Sequence, residues 1–341
     1  MPMEEKVGNF EIVSPIASGG MGRVYLAKHS LNGGFIAIKV LPDHFLNDRK
    51  RSRYLEREVK IAKQLNHPNV IKIYGLHVQN GVGYLLMEYM DGGNLRQFMK
   101  AQTLDLCDVI DISLKICAGL HYIHHHRFGQ GRFHSIIHMD IKPENILLSK
   151  NGALKVADFG LSVAEDFFSL LGPRSRAGTP LYMSPEQIRG RTLDIRTDIY
   201  SLGLVIYELI TGQLPYKAQD RKQYMKMVIS KSVKPAPPSY TNKKVPRQLD
   251  EVTMKALEKE PAKRYQTVTE MMLDLQRVPL VLKRAYEQLQ PAADDIPASA
   301  DAGTSDLEED SLALYVRADL PKQRESIDSK KVPPQKAGGR A

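Results

Sequence analysis

The chain has 341 residues and a net charge of +9 at neutral pH, with 42% hydrophobic and 26% charged residues, 24 Gly and 20 Pro. This length excludes an isolated small domain, and this balance excludes collagen-like, coiled-coil and wholly disordered chains. The most apolar internal run, from Ile199 to Ile210, contains Glu208. It falls well short of the ~20 residues that cross a bilayer, so no membrane span is expected in this chain.

The positive charge is unevenly placed. From Asp294 to Asp310 there are seven acidic residues and no basic one, and from Arg317 to Arg340 seven basic residues against three acidic. Residues 291–341 therefore hold ten acids and seven bases, which leaves +12 on residues 1–290. That charge is scattered, with no Trp and no interleaved aromatics, and reads as a solvated surface; no nucleic-acid partner is expected.

Cys107 and Cys117 are the only cysteines. Both fall on one predicted helix, about 15 Å apart along its axis, too far to bridge. They read as buried free thiols in a reducing compartment. The opening MPMEEKVGNF has no apolar signal core and carries Pro2 where myristoylation needs Gly, so a cytoplasmic chain is expected.

In chain order, residues 10–90 alternate short β-type runs (FEIVSPI, RVYLAKHS, FIAIKVL, VIKIYGLHV, GYLLMEY), with one helical stretch near Asp48–Leu65. After MDGGNL the period changes to 3.6, predicting helices over Asp105–His124, Arg196–Thr211, Lys222–Ser230, Leu249–Lys259 and Thr267–Gln276. This predicts an α+β, bilobal architecture: an antiparallel sheet lobe with a helix (10–90), then a mostly helical lobe (91–285). Residues 1–9 are an N-terminal extension, and 286–341 a charge-blocked tail expected to be disordered. The short apolar patch SLALYV in that tail is either without a role or a docking peptide. A small-molecule site is expected in the cleft between lobes.

Three segments carry chemistry. Ala17-Ser18-Gly19-Gly20-Met21-Gly22-Arg23-Val24 is a glycine-dense turn between strands, which lets backbone N–H groups approach phosphate oxygens, although a plain hairpin has the same composition. Further on, Lys39 interrupts the apolar run FIAIKVL; it either snorkels from an exposed face or requires a counter-charge, and the following helix offers Glu58. In Ile137-His138-Met139-Asp140-Ile141-Lys142-Pro143-Glu144-Asn145-Ile146-Leu147-Leu148, three polar residues (Asp140, Lys142, Asn145) can face one point between apolar runs. A second acidic turn, Asp158-Phe159-Gly160, follows that segment. Oxygen donors such as Asn145 and Asp158 suit Mg²⁺, Asp140 can accept a hydroxyl hydrogen, and Lys142 can neutralise a phosphate in transfer.

With these motifs in this order, the sequence resembles the eukaryotic-type serine/threonine protein kinases over about Phe10–Leu280. The strings GGMGRVY, YMSPEQ and TDIYSLG look most like bacterial members. The resemblance implies a bilobal protein-kinase-like fold and ATP-dependent phosphorylation of Ser or Thr on proteins, with Mg²⁺, or alternatively Mn²⁺, as cofactor. Autophosphorylation is expected at the exposed Arg174-Ser175-Arg176.

Carried over residue by residue, Ala17, Ser18, Gly19, Gly20, Met21 and Gly22 would cover the phosphates, with Val24 and Ala37 at the adenine. Lys39 would hold the α- and β-phosphates and pair with Glu58. Met87 resembles the gatekeeper, Glu88 to Met90 the hinge, and Leu147 the pocket floor. Asp140 resembles the catalytic base, Lys142 the phosphate-neutralising lysine, and Asn145 and Asp158 the metal ligands. Lys142 and Thr179 favour Ser/Thr acceptors over Tyr. Glu186 and Arg264 match a buried ion pair, Asp198 a helix-borne aspartate that steadies the catalytic loop, and His138 a histidine packed beneath it.

Three departures stand out. Ala17 occupies the place of the first loop glycine, and Met139 that of the Arg which usually precedes the catalytic Asp and receives an activation-loop phosphate. Activity is therefore expected to depend little on phosphate at Ser169 or Ser175. The stretch His124–Ser135 looks like an insertion of several residues. His121 and His125, spaced i, i+4, could grip zinc, but no third ligand is evident and a helix C-terminus favours His on its own account. Two alternatives remain open: a pseudokinase scaffold that binds nucleotide and partner proteins without transfer, and a small-molecule phosphotransferase. The physiological substrate and the oligomeric state are not encoded in any of these motifs.

Overall fold

The computed structural model describes residues 5–19, 22–41, 49–128, 132–133, 135–158 and 180–289. Of the residues singled out above, Gly20, Met21, Phe159, Gly160, Ser169, Ser175, Thr179 and the tail from 290 onward lie outside them.

The first lobe is a six-stranded antiparallel sheet. Its strands are β1 (Lys6–Val7), β2 (Phe10–Gly19), β3 (Gly22–His29), β4 (Phe35–Val40), β5 (Ile73–Gln79) and β6 (Val82–Glu88), in the order β1-β2-β3-β4-β6-β5. The sheet thus begins at Lys6, ahead of the β-type run that starts at Phe10. Val7 is 1% exposed and joins Ala27, Ile36, Ile38 and Tyr84 in a core on one sheet face. Helix α1 (Arg49–Ala62) crosses from β4 to β5 and buries Leu55, Glu58 and Val59.

The second lobe is helical: α2 (Leu95–Ala101), α3 (Leu106–His124), α4 (Pro185–Arg189), α5 (Arg196–Thr211), α6 (Arg221–Ile229), α7 (Arg247–Ala256) and α8 (Val268–Leu289). Each long helix expected from the 3.6 period is present within a few residues of its predicted ends. The exception is α8, which continues beyond Gln276, through Pro279, to Leu289 and so past the boundary set at residue 285. Capping chemistry explains several starts: Asp105 and Asp108 form a reciprocal capping box at α3, as do Asn94 and Gln97 at α2 and Ser184 and Gln187 at α4.

Every residue of α5 from Thr197 to Ile210 is buried, so this helix is the axis of the lobe, mostly apolar on every side because other elements surround it. That explains why its apolar run resembles a membrane segment without the length for one; among the described residues no helix is long and apolar enough to cross a membrane. α3 packs on α5 and α8, with Ile112, Ile116, Leu120 and Ile123 wholly buried. Each such side chain contributes about 1.5–3 kcal/mol of transfer free energy. Cys117 is buried in this core, whereas Cys107, in the first turn of α3, is exposed rather than buried; both are free. The insertion after α3 folds into a small hairpin, β7 (Arg127–Phe128) with β8 (Arg132–Phe133), rather than an irregular loop.

Candidate functional site

Strand register alone collects one half of the site. Residues directly opposite in an antiparallel pair share a face, as do residues two apart on one strand. Ala17 is opposite Val24, Val24 opposite Lys39, and Lys39 opposite Leu85; Ala37, two before Lys39, is opposite Leu26 and Met87. Ala17, Val24, Ala37, Lys39 and Met87 therefore occupy one sheet face, opposite to the Ile36, Ile38 and Ala27 core.

Gly19 pairs with Gly22 at the tip of the β2–β3 hairpin. Gly22 has φ 119°, and a Cβ there would stand 2.3 Å from the Val40 carbonyl oxygen. The requirement for glycine at this position is thus set partly by the approach of β4, before any ligand is considered.

Two short strands, β9 (Ile146–Leu148) and β10 (Leu154–Val156), build the other half on the helical lobe. The lobes are sewn together beside them. Ile71 N–H donates to Val156 O (2.9 Å) and Val156 N–H to Asn69 O (2.9 Å); Gly92 N–H donates to Leu148 O and Leu148 N–H to Gly93 O, both 2.9 Å. Leu147 pairs with Lys155 and, by a single bridge, with Asn94, which sets it under the connection between lobes. In that connection Met90 is buried and makes no backbone hydrogen bond among the described residues, whereas the Glu88 N–H is already given to Lys72 O at 2.9 Å. The Glu88 carboxylate accepts from Lys72 N–H (3.2 Å) and lies 3.0 Å from Lys155 Nζ, an ion pair that joins β6 to β10.

Asp140, Lys142 and Asn145 converge as the spacing predicts. Pro143, pre-set for the first helical position, opens a single 3₁₀ turn, Pro143–Asn145. That turn brings Lys142 Nζ to 2.6 Å from Asp140 Oδ2, while Asn145 Nδ2 donates to both Asp140 O and Asp140 Oδ2 at 2.8 Å. The amide nitrogen of Asn145 is thus committed to Asp140.

Across the cleft, Lys39 Nζ is 2.9 Å from Asp158 Oδ1, so the lysine, 2% exposed, is not a snorkelling one. Burial would raise the Asp158 pKa, but the charge and hydrogen bond of Lys39 outweigh it and hold the carboxyl below its ordinary value. Asp158 is therefore ionised at neutral pH, as a metal ligand must be. Glu58 lies 4% exposed on α1 in the same lobe as Lys39. A neutral carbonyl oxygen and an ionised carboxylate are hard oxygen donors of the kind that Mg²⁺ or Mn²⁺ takes, so the residues fit a divalent cation.

The loop that carries Asp140 is held from below. Asp198 on α5, wholly buried, accepts from Met139 N–H at Oδ1 (2.8 Å) and from His138 N–H at Oδ2 (2.7 Å). His124 Nε2 lies 2.8 Å from the same Oδ2. Gln187 Nε2 donates to Met139 O at 2.8 Å. His138 is fully buried, and burial pushes its pKa down, so its ring is neutral. Its Nε2 faces the Ala157 carbonyl at 2.9 Å and must carry the hydrogen, which leaves Nδ1 to accept from Asp140 N–H at 3.3 Å. One ring thus spans the strand leading to Asp158 and the residue Asp140 itself. The Glu186–Arg264 ion pair also forms, at 2.7 and 2.8 Å, with both side chains buried.

Sequence reasoning misses His124, Gln187 and Lys155 as supports. His124 ends the apolar face of α3 one residue after Ile123, and that position is the available signal, although the sequence alone also allows it to open the insertion. The His121/His125 pair holds no cation geometry. His121 Nδ1 bonds Thr269 Oγ1 (2.8 Å), His125 Nδ1 bonds His121 O (3.0 Å), and among the described residues no cluster of three or more metal-ligating side chains occurs.

Known proteins resemble this chain in sequence and in fold. Residues 10–274 match the family model described as protein kinase domain. A probable serine/threonine-protein kinase of Clostridium perfringens is 34% identical over 275 residues, covering 80% of this chain and 38% of that protein. Serine/threonine-protein kinase PrkC of Bacillus subtilis is 33% identical over 271 residues, covering 79% and 40%. The chain thus spans about two-fifths of the length of these relatives. Among solved structures, the Mycobacterium tuberculosis PknI kinase domain superposes with TM-score 0.62 at 25% identity, covering 81% of this chain and 99% of that one. A bilobal fold, one row of residues across the sheet face, a convergent loop and a match over most of its length together make this chain a member of the protein kinase domain family.

Proposed function

We propose that the chain transfers the γ-phosphoryl group of ATP to Ser or Thr hydroxyls of proteins. The observation that supports this most directly is the convergence of Lys39, Asp158, Asp140, Lys142 and Asn145, drawn from both lobes, on one cleft. In this reading Val24, Ala37, Met87, Met90 and Leu147 enclose the adenine, and Ala17 with the Gly19–Gly22 turn lies over the phosphates.

The acceptor hydroxyl donates its hydrogen to the Asp140 carboxylate, and its oxygen attacks the γ-phosphorus in line with the bridging oxygen of the β-phosphate. The new P–O bond forms as the old one breaks; ADP departs with the electron pair and the proton passes to Asp140. Lys142, which already touches Asp140, offsets charge on the transferring group, and Lys39 orients the α- and β-phosphates. Asn145 and Asp158 would hold a divalent cation, which would supply positive charge to offset the charge of the phosphates. Most of the acceleration comes from positioning, which is why the loop is fastened at both Met139 and His138.

Both cysteines are free, which fits a reducing compartment, and the proposal places the chain in the cytoplasm. The named relatives are serine/threonine-protein kinases, and no observation favours a scaffold without transfer. Incubation with γ-labelled ATP, Mg²⁺ and a mixed protein substrate, followed by phosphoamino-acid analysis, tests the reading: label is expected on Ser and Thr, and label confined to Tyr, or none, overturns it.

A further inference from the structure

A cavity of about 500 Å³ opens on the helical lobe where α4, α6 and α7 end, and six cations line it: Arg189, Arg191, Lys231, Lys234, Lys259 and Lys263. Only two carboxylates, Glu258 and Glu260, stand with them. The lining thus holds four positive charges in excess.

The meeting of helix C-termini accounts for part of this cluster, because their carbonyls favour cations. Arg189 Nη2 donates to the Ile229 carbonyl, and Lys259 Nζ donates to Met227 O (2.7 Å) and Ser230 O (2.5 Å), at the end of α6. Lys231 and Lys263 share the single Glu260 carboxylate, at 3.1 and 3.2 Å, and their hydrogen bonds hold it below its ordinary pKa. Arg191 and Lys234 remain. Both are exposed, and among the described residues neither side chain has a hydrogen-bond or ion-pair partner. The excess charge is felt inside the cavity: burial, and after it the charge of Arg189, lowers the Lys259 pKa to about 8.

The shape of the cavity selects its ligand. Pro235, Met254 and Leu257 supply apolar lining between the cations. An isolated inorganic anion leaves that lining uncovered, and a flat bilayer surface does not enter a concavity. A phosphorylated Ser or Thr within a peptide fits both parts. Its phosphate takes charge-assisted hydrogen bonds from a guanidinium and an ammonium, while a neighbouring apolar side chain covers the floor. Such a segment is also what transfer to Ser or Thr produces. Helix α4 joins the two places, since its Gln187 holds Met139 O beside Asp140 while its Arg189 borders the cavity.

We propose that this cavity docks a phosphoserine or phosphothreonine segment of a protein substrate, with Arg191 and Lys234 holding the phosphate. The choice of ligand rests on the protein-kinase reading above. A substrate that already carries one phosphate is retained for the next transfer, so multi-site substrates are phosphorylated in clusters.

The test measures binding without transfer. A fluorescent peptide library with a central phosphoserine or phosphothreonine between random residues is titrated with the full chain at ~0.15 M salt, where exposed charges are screened. The cleft is filled with a non-hydrolysable ATP analogue and Mg²⁺, and the unphosphorylated library is run beside it. The phosphorylated library is expected to bind at least tenfold more tightly. Arg191→Glu/Lys234→Glu should abolish that preference, while its kcat/KM for an unphosphorylated single-Ser peptide stays within threefold of wild type. Should this variant not fold, Arg191→Gln/Lys234→Gln replaces it with the same expectation. Equal binding of the two libraries, or a preference that survives in the variant, overturns the proposal. Two further arms separate the sources of negative charge. Inorganic phosphate that displaces the library as effectively as unlabelled phosphopeptide does would mark a free-anion site. Phosphatidylglycerol vesicles that bind the wild type and not the variant, with no phosphopeptide preference, would mark a membrane surface. Either result overturns the proposal. Absence of transfer from the wild type to every peptide, with the phosphorylated library bound as expected, would instead overturn the protein-kinase reading.

Discussion

Asp198 and Met139 are held 2.8 Å apart, carboxylate Oδ1 to backbone N–H, while Met139 has φ 65°, a left-handed conformation uncommon for a side chain of this size. Such a backbone costs on the order of 1–2 kcal/mol and persists only where the surroundings fix it. Asp198 does the fixing, because it also accepts from His138 N–H and contacts His124 Nε2, all inside the buried base of the lobe. The bend it enforces aims Asp140 into the cleft.

Replacing that carboxylate by an amide puts an NH₂ against donors that need an acceptor. Asp198→Asn leaves at least one buried N–H without a partner, at about 1–3 kcal/mol, and frees the Met139 bend. Chemical denaturation should show a stability loss of that size. Steady-state kinetics should show a fall in kcat larger than any change in KM for ATP. A variant with unchanged denaturation midpoint and unchanged kcat would contradict the role given to Asp198.

Asp140→Asn separates binding from transfer. The amide keeps the shape of the side chain and can still meet Lys142 and Asn145 through its oxygen, yet it cannot take the acceptor's proton. Calorimetric affinity for ATP with Mg²⁺ should stay within a few-fold of wild type, with transfer below a few per cent. A variant that retained more than that would reassign the base.

How much of this is legible in the sequence depends on the range of each interaction. The row Ala17, Val24, Ala37, Lys39 and Met87 is a consequence of period-2 alternation and short hairpins, so once the strands are read the face follows. The Asp140–Lys142–Asn145 cluster lies within one short, proline-started turn, a span over which spacing is close to geometry. By contrast, the Glu88–Lys155 pair, the His124–Asp198 contact and the Arg96–Glu208 network join residues far apart in the chain, and no local pattern encodes which distant charge meets which. The length of α8 escapes the sequence because Pro279 ends an apolar period without ending the helix, and the hairpin after α3 because such short strands carry no periodicity.

Met139 bears on regulation. The side chain beside Asp140 is a buried thioether, 6% exposed, where a guanidinium would be needed to draw in a phosphorylated loop. Activity is therefore expected to depend little on phosphate at Ser169 or Ser175. The double variant Ser169→Ala/Ser175→Ala should keep kcat within a few-fold of wild type; a hundredfold loss would show that a different cation receives the phosphate.

The Glu186–Arg264 pair sets an acid limb on stability. Burial alone would raise the Glu186 pKa, but the hydrogen bonds and charge of Arg264 outweigh it and hold the carboxyl below its ordinary 4.5. A carboxyl depressed in the folded state contributes stability that is complete above the unfolded value and is lost as pH falls through the folded one. Breaking the pair from the two sides should therefore differ. Arg264→Met strands a buried carboxylate and also abandons the carbonyls of Arg196, Glu258 and Lys259, so it should cost about 3–5 kcal/mol at neutral pH. Glu186→Gln keeps an oxygen for Arg264 and leaves those carbonyl bonds in place, so it should cost less, about 1–3 kcal/mol. The discriminating measurement is denaturation of wild type and Glu186→Gln from pH 7 to pH 3. His138, whose pKa is also lowered, destabilises both proteins as pH falls below 6.5 and cancels in the comparison. The remaining gap should hold constant down to about 4.5 and then close as Glu186 protonates; a gap that widens on acidification would mean that Arg264 is not what keeps this carboxylate charged.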